Sequence, residues 1–372
     1  MLKRPRIVLL AFDGFPLDLF RPAMTPRLWQ LGQDGGIAPQ GGRTGLPSTT
    51  YPGFTSLLTG AGQWSHGVRT TAQRPGAVPG WAGANRTAVP TIMHAARDVG
   101  LRTAVVMGDH QLQRVMGLDD FDTAWPPAGI VPDGTELDAH GYPTNAALRP
   151  HLLEAASDPS VDLLFVHLNE TDTLGHDLGP NAPATARCVR SADALVGELL
   201  DALAPDWERT VVAVTSDHDM VLRLPFPTID PMASRDCAGL ADDWIADGCA
   251  AWLRLTPGAD PHMAIDRFSA IHGVAAWRWH EPNILLLLAA PGRIFAQPYV
   301  PITGIHGSLD TARTLAIVGG GHPAVDELGA RIRDVAPRLR DWAPTLARIL
   351  EIELPDAEGT DLLEQMASRA AG

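Results

Sequence analysis

"VDLLFVHLNETDTLGHDLGP", residues 161–180, joins a nearly unbroken apolar run to a polar stretch in which Asp172 and His176 stand four apart. A run without polar alternation reads as a strand buried on both faces, the habit of parallel sheets rather than of half-solvated antiparallel ones. Three further runs share this texture: "RIVLLAF" (6–12), "RTAVVMG" (102–108) and "RTVVAVTS" (209–216). Helical patterns lie between and around them, at 25–33, 51–60, 90–99, 144–156 and 181–204. Repeated alternation of strand and helix predicts an α/β fold, a mainly parallel sheet between layers of helices. In such sheets ligands gather beyond the carboxyl ends of the strands, so the polar residues that follow each run become the candidates for function.

The chain has 372 residues, 45% of them hydrophobic, enough for a large core domain carrying an insertion. From 220 to 303 the texture changes. "AAWLRL" (250–255), a helical "HMAIDRFSAI" (262–271), "VAAWRWH" (274–280) and "NILLLLAAPGRIFA" (283–296) predict a small α+β subdomain set into a core formed by 1–219 and 304–372. An apolar "TLAIVGG" (314–320) follows it, and "LRDWAPTLARILEIELP" (339–355) reads as an amphipathic helix.

A formal net charge of −14, from 29 basic and 43 acidic residues without any basic run, argues against binding a nucleic-acid polymer. A small anionic substrate stays compatible, because a metal can supply local positive charge. Three cysteines without CxxC spacing suggest neither a disulfide framework nor a cysteine zinc site, which fits a reducing compartment. The basic start "MLKRPR" ahead of an apolar run superficially resembles a signal peptide. That run ends at Asp13 with no small-residue cleavage site after it, so it is read as the first strand. No stretch approaches the ~18 apolar residues that span a bilayer. A cytoplasmic protein without membrane association is the expectation.

The run at 6–12 ends at Asp13, the run at 209–216 at Asp217 and His218, and the run at 161–168 leads to Asp172 and His176; His306 follows the insertion in "GIHG". Each has a simpler role taken singly. Asp13 before Gly14 could be a turn, Asp172 a helix cap, the Asp172/His176 pair an exposed helical face, and His306 a loop histidine. Together they are six carboxylate and imidazole groups where strand ends converge. Two sets of three nitrogen and oxygen ligands suit two divalent metals, zinc most naturally and manganese as the alternative. A pair of metals about 4 Å apart serves both the attacking and the leaving oxygen in phosphoryl transfer. The hydroxyl cluster of "GLPSTTYPGF" (45–54) adds a nucleophile, since a Thr at a helix start can be either a cap or an activated attacking group.

In their order and spacing "AFDG", "PSTTYPGFTSLLTGAGQWSHG", "ETDTLGHDLGP", "SDHDM", "GIHG" and "WAPTLARILEIELPDAEGTDL" resemble the alkaline phosphatase superfamily, and within it the nucleotide pyrophosphatase/phosphodiesterase family, over nearly the whole chain. The resemblance implies an alkaline-phosphatase-like core and selects Thr50 as nucleophile. It implies that Asp13, Thr50, Asp217 and His218 hold one metal and Asp172, His176 and His306 the other. The implied reaction is in-line attack by Thr50 on a phosphate ester, giving a phosphothreonine that water hydrolyses. Two positions depart from the family pattern. Thr71 stands where diesterase members have an Asn that contacts a substrate oxygen, with Arg69 nearby as a second candidate for substrate oxygens. Asp219 stands where Gly usually follows Asp-His.

A phosphodiester or nucleotide pyrophosphate is therefore the expected substrate. Phosphomonoester or phosphonate hydrolysis, transfer to another acceptor, and a non-catalytic metal- or phosphate-binding relic are the alternatives. The Cys/Ser-x-Pro-x-Arg sequence of sulfatases is not present at the nucleophile position. His66 is read as supporting its loop; His110, His167 and His280 carry no pattern. Trp64, Trp277 and Trp279 could line a pocket for a flat group.

Overall fold

The computed structural model describes residues 4–71, 81, 83–121, 123–295 and 302–364. The extreme ends of two expected segments, residue 296 of the insertion's last apolar run and 365–372 of the core, lie outside the described residues, as do 297–301 of the expected subdomain. Among the described residues a seven-stranded sheet has the spatial order Gly36–Ile37, Ala316–Gly320, Thr210–Ser216, Arg6–Phe12, Leu163–Leu168, Thr103–Met107, Ala124–Trp125. The last five run parallel. Ala316–Gly320 is antiparallel to both of its neighbours.

The central strands are apolar throughout because both faces are covered. Ile7, Leu9 and Ala11 join Phe54, Leu57, Trp342 and Leu346 in one core, while Val8, Leu10 and Phe12 join Val189, Val196 and Leu199 in the other. The helix Thr50–Thr59 is buried along its full length. It tolerates this despite its hydroxyls because Thr55 and Thr59 donate to the carbonyls of Tyr51 and Thr55. It stops at Gly60, whose φ of +69° suits the left-handed cap that glycine adopts without strain.

A second sheet lies within 220–303, antiparallel, in the order Val274–Glu281, Ile284–Ala289, Ala250–Leu255, Ala241–Asp247. The helix Pro261–Ser269 packs Ala264 and Phe268 onto Leu253, Leu285 and Leu287. The chain before and after this sheet lies side by side, since Val221 and Leu222 pair antiparallel with Ile305 and Gly304.

Two elements differ from the reading of the sequence. Ala241–Asp247 is a fourth strand where none was expected: "ADDWIAD" carries acids that read as loop, and an edge strand leaves Asp242 exposed and Asp243 half-buried while Asp247 is buried. The C-terminal helix ends at Leu350 rather than near 355, turned off by Glu351 at φ +57°. The apolar period misled because Ile352 and Leu354 still pack against the same core after the helix has stopped. Among the described residues no helix is long and apolar enough to cross a membrane.

Candidate active site

Three neighbouring parallel strands deliver the acids. Asp13 follows Arg6–Phe12, Asp217 and His218 follow Thr210–Ser216, and Leu163–Leu168 leads into the helix Glu170–Leu178 that carries Asp172 and His176 on one face. Gly14 bends the first connection at φ +56°, and a Cβ there would lie 2.4 Å from Asp172 Oδ1. Close approach of that turn to the acidic helix thus requires glycine. His306 arrives from the segment that rejoins the core, where His176 Nδ1 and the Gly304 carbonyl are 2.9 Å apart.

The six groups form two triads, Asp13 with Asp217 and His218, and Asp172 with His176 and His306, whose ligand atoms all lie within 4.8 Å of one another in each. The triads adjoin, because the His218 and His306 rings stack with centroids 3.7 Å apart. All three imidazoles use Nδ1 on a backbone carbonyl: His176 on Gly304 at 2.9 Å, His218 on Asp219 at 3.0 Å, His306 on Ser48 at 3.1 Å. Donation from Nδ1 to those carbonyls leaves each Nε2 as a lone pair facing the cluster.

That arrangement fits a cation in each triad. His176 Nε2 and His306 Nε2 face each other at 3.1 Å, and two lone pairs at that distance repel unless a positive centre lies against them. Asp172 Oδ1 and Asp217 Oδ2 are buried without any hydrogen-bond donor. Burial, reinforced by Asp217 and Asp172, pushes the Asp13 carboxyl well up, and burial raises Asp217 as well. Burial holds His218 down at about 4 and His306 well below its usual value, the latter aided by the neighbouring imidazoles. Buried acids that resist ionising beside imidazoles that resist protonation make a donor set whose charge balance a divalent ion would restore.

Thr50 sits over the Asp13 triad. Its hydroxyl lies 3.3 Å from Asp13 Oδ1 and 3.4 Å from His218 Nε2 and is only 5% exposed. The N-cap of its helix is Thr49, so Thr50 is not the cap, and its hydroxyl points to the acid and imidazole. Ser48 braces the turn on the Ser308 carbonyl and the Thr311 hydroxyl. Thr71 lies at the helix start, where its Oγ1 accepts from the Tyr51 amide at 3.1 Å. The hydroxyl proton of Thr71 is thereby left to donate into the cleft.

Arg69 is placed elsewhere. Its guanidinium stacks on Trp64 at 3.5 Å, donates to the Trp81 carbonyl and pairs with Glu281 at 3.4 Å, and it is not among the side chains lining the cleft around Thr50. Trp64, Trp277 and Trp279 do not line that cleft either; Trp64 binds His280 Nδ1, and Trp279 packs in the inserted sheet's core. His66 donates to Ser56 and accepts from the Val68 amide, holding the loop, while His110 lies outside the triads. Asp219 faces away from the triads: its carboxylate accepts from the Leu17 and Met220 amides, burial raises it to about 6, and it reaches the cluster only through its carbonyl on His218.

Two residues escaped the sequence reading. His167, fully buried, accepts from the Asp109 amide at Nδ1 and therefore donates from Nε2 to Asp13 Oδ2 at 3.2 Å. The signal was its register, since it pairs with Ala11, two residues before Asp13. Asp247 comes from the unexpected edge strand and lines the cleft; nothing local marks it. The cleft encloses about 570 Å³, with Asp13, Thr50, Asp172, His176 and His306 at its base and Tyr51, Tyr142, Ile294, Phe295 and Ile302 on its walls.

A family model described as type I phosphodiesterase/nucleotide pyrophosphatase matches residues 7–278. Ectonucleotide pyrophosphatase/phosphodiesterase family member 7 of Homo sapiens is 24% identical over 230 residues, 58% of this chain and 48% of that protein. Bis(5'-adenosyl)-triphosphatase enpp4 of Mus musculus is 23% identical over 232 residues, 58% of this chain and 47% of that protein. The chain spans about half the length of the curated relatives it matches. The solved structure of murine ectonucleotide pyrophosphatase/phosphodiesterase 5 shares the fold with a TM-score of 0.68 at 17% identity, covering 95% of this chain and 97% of that one. A family model spanning most of the chain, on a fold of this kind, settles the family: the chain belongs to the type I phosphodiesterase/nucleotide pyrophosphatase family of metal-dependent hydrolases, in the alkaline phosphatase superfamily.

Proposed function

We propose that the protein hydrolyses phosphodiesters or nucleotide pyrophosphates through a phosphothreonine intermediate on Thr50. The observation that carries this reading is the Thr50 hydroxyl, which does not cap its helix and sits instead against Asp13 and His218 at the base of the cleft. Asp13, Thr50, Asp217 and His218 would hold one divalent ion and Asp172, His176 and His306 the other, with zinc or manganese matching the nitrogen and oxygen donors. Bound there, the ions would supply the positive charge that lowers the pKa of a hydroxyl and stabilises the entering and departing oxygens.

The chain's own groups do the rest. Thr50 Oγ1 forms the new bond to phosphorus while the ester oxygen opposite departs with its group. Water then cleaves the phosphothreonine, releasing a phosphate monoester and restoring the hydroxyl. Thr71 offers its hydroxyl proton to a non-bridging oxygen, held in aim by the Tyr51 amide. Tyr51, Tyr142, Ile294, Phe295 and Ile302 give the cleft an aromatic and apolar wall that can receive the organic group of a phosphate ester. The name of the murine relative, a bis(5'-adenosyl)-triphosphatase, makes nucleotide esters the first class to try. Three buried, unpaired cysteines support a reducing, cytoplasmic setting.

The test is hydrolysis of bis-p-nitrophenyl phosphate, thymidine monophosphate p-nitrophenyl ester and p-nitrophenyl phosphate by protein reconstituted with zinc or manganese. Both diesters should be cleaved faster than the monoester, and Thr50→Ala should abolish turnover while metal stays bound. Faster monoester cleavage would move the assignment to a phosphatase. Full activity in Thr50→Ala would sink the phosphothreonine route.

A further inference from the structure

Asp247 closes the edge strand of the inserted sheet, yet it is 6% exposed and faces the catalytic cleft. One carboxylate oxygen, Oδ2, accepts from the Thr49 hydroxyl at 3.1 Å and from the Thr71 amide at 3.1 Å, and the Thr70 hydroxyl is a further donor to the carboxylate. These partners bracket the reaction centre. Thr49 precedes the nucleophile, and Thr71 carries the hydroxyl that faces a non-bridging oxygen.

The position of Asp247 is fixed by backbone rather than by side-chain choice. Cys249 donates its amide to the His306 carbonyl at 2.7 Å, and Gly248, at φ +64°, has room for no Cβ because one would lie 2.4 Å from that same carbonyl. A Cβ on Gly307 would likewise lie 2.8 Å from the Asp247 carbonyl. The hairpin of the insertion is therefore clamped onto the segment bearing His306, and its acid is delivered to the site by construction.

We propose that Asp247 is a specificity-determining residue: its carboxylate, held beneath the Thr71 subsite, makes the cleft accept the single negative charge of a phosphodiester and disfavour the second charge of a phosphate monoester. The proposal rests on the reading of the cleft as a phosphate-ester site. Burial raises the Asp247 carboxyl to about 6, opposed by hydrogen bonds from Thr71, Thr70 and Thr49 that favour the ionised form, so it is charged at pH 8, and burial leaves that charge little screened by salt. A phosphate monoester, with a second pKa of about 6, carries that extra charge at pH 8. One unit of additional like-charge repulsion inside a partly desolvated cleft amounts to about tenfold or more in binding.

Asp247→Asn removes the charge and keeps an oxygen acceptor for Thr49 and Thr71. It should lower the ratio of kcat/KM for bis-p-nitrophenyl phosphate over p-nitrophenyl phosphate at pH 8 by about tenfold or more. Asp247→Glu, which keeps the charge, should lose rate on both esters and hold the ratio. Binding gives a readout independent of turnover. In zinc-loaded Thr50→Ala protein, adding Asp247→Asn should tighten inorganic phosphate about tenfold by calorimetry and change bis-p-nitrophenyl phosphate affinity less than threefold. Should Asp247→Asn melt well below the parent, Asp247→Ser removes the charge with a smaller side chain and is read the same way.

A ratio and a phosphate affinity that both stay within twofold in a folded variant would overturn the proposal. If the parent protein cleaves no ester, the hydrolase reading fails, and the phosphate titration still decides the role of Asp247. If the parent is active and the ratio is unmoved, only this inference fails.

Discussion

His167→Leu should weaken one metal site by roughly 10–100-fold and leave the other nearly untouched. Asp13 is 2% exposed. Its Oδ1 faces Thr50 and His218, and its Oδ2 has His167 Nε2 at 3.2 Å. Burial keeps the His167 ring neutral, with a pKa held down to about 3, and the Asp109 amide occupies Nδ1, so Nε2 carries the proton that Asp13 receives. Leucine fills similar space and offers no donor. A hydrogen bond to a buried charged acceptor contributes about 1.5–3 kcal/mol, or roughly 10–150-fold in an equilibrium constant.

The sign of the Asp13 shift says where that loss appears. Burial and the facing acids push the Asp13 carboxyl well up, so the cation-free protein favours the protonated acid, to which the His167 bond matters little. Binding a cation requires the carboxylate, and the missing donor is felt then. Competition between the protein and a chromophoric zinc chelator, fitted to two sites, measures it. The Asp13, Asp217 and His218 site should weaken and the Asp172, His176 and His306 site should shift by less than threefold. The unsatisfied Asp109 amide adds about 1–3 kcal/mol of destabilisation, visible as a lower Tm without metal. A folded variant whose two zinc affinities both stay within twofold of the parent would refute the assigned role.

Gly304→Ala would place a Cβ 2.2 Å from the Gly175 carbonyl oxygen and 2.5 Å from Met220 Sδ, prising the His176 helix from the segment that carries His306. Bound zinc, measured by atomic emission, should fall from about two equivalents to about one with the Asp13 triad kept; two retained equivalents would contradict this geometry. His66, fully buried and held at about 3 against an ordinary 6.5, stays neutral in the folded chain while the unfolded chain takes up a proton below pH 6.5, so its contribution is present above that pH and declines as pH falls from 6.5 toward 3. The loss reaches about 2 kcal/mol at pH 5, so His66→Gln should flatten the fall in Tm between pH 7 and pH 5, and an unchanged slope would exclude His66 as its source.

The grouping of acids and imidazoles at the floor of the candidate site was legible in the sequence because two independent patterns coincide there. Apolar runs such as "RIVLLAF" can only be strands covered on both faces, and the acids that break them must then lie at the carboxyl edge. Its walls and supports were not. His167 sits within an apolar strand and reads as core until the register with Arg6–Phe12 places it beside Asp13. Arg69 has local company that suggests anion binding, but its partners Trp81 and Glu281 are set by tertiary packing, which spends the guanidinium outside the cleft. Asp247 belongs to an edge strand whose acids resemble a loop, and only the hairpin's clamp on His306 brings it to Thr71.

The six candidate ligands are thus held by two different devices, and the difference bears on how the site works. The acids of the first triad are fixed by strand ends and amides: Asp217 Oδ1 accepts from Gly14 and from His218 itself. The imidazoles are fixed by carbonyls from three separate segments, at Ser48, Asp219 and Gly304. A carbonyl can only accept, so each of these contacts selects the tautomer with its proton on Nδ1 and its lone pair turned inward. One of those carbonyls precedes Thr50 by two residues and another precedes His306 by two. The backbone that presents Thr50 therefore also orients an imidazole of the opposite triad, so displacement of either segment disturbs both the Thr50 hydroxyl and the triad that faces it.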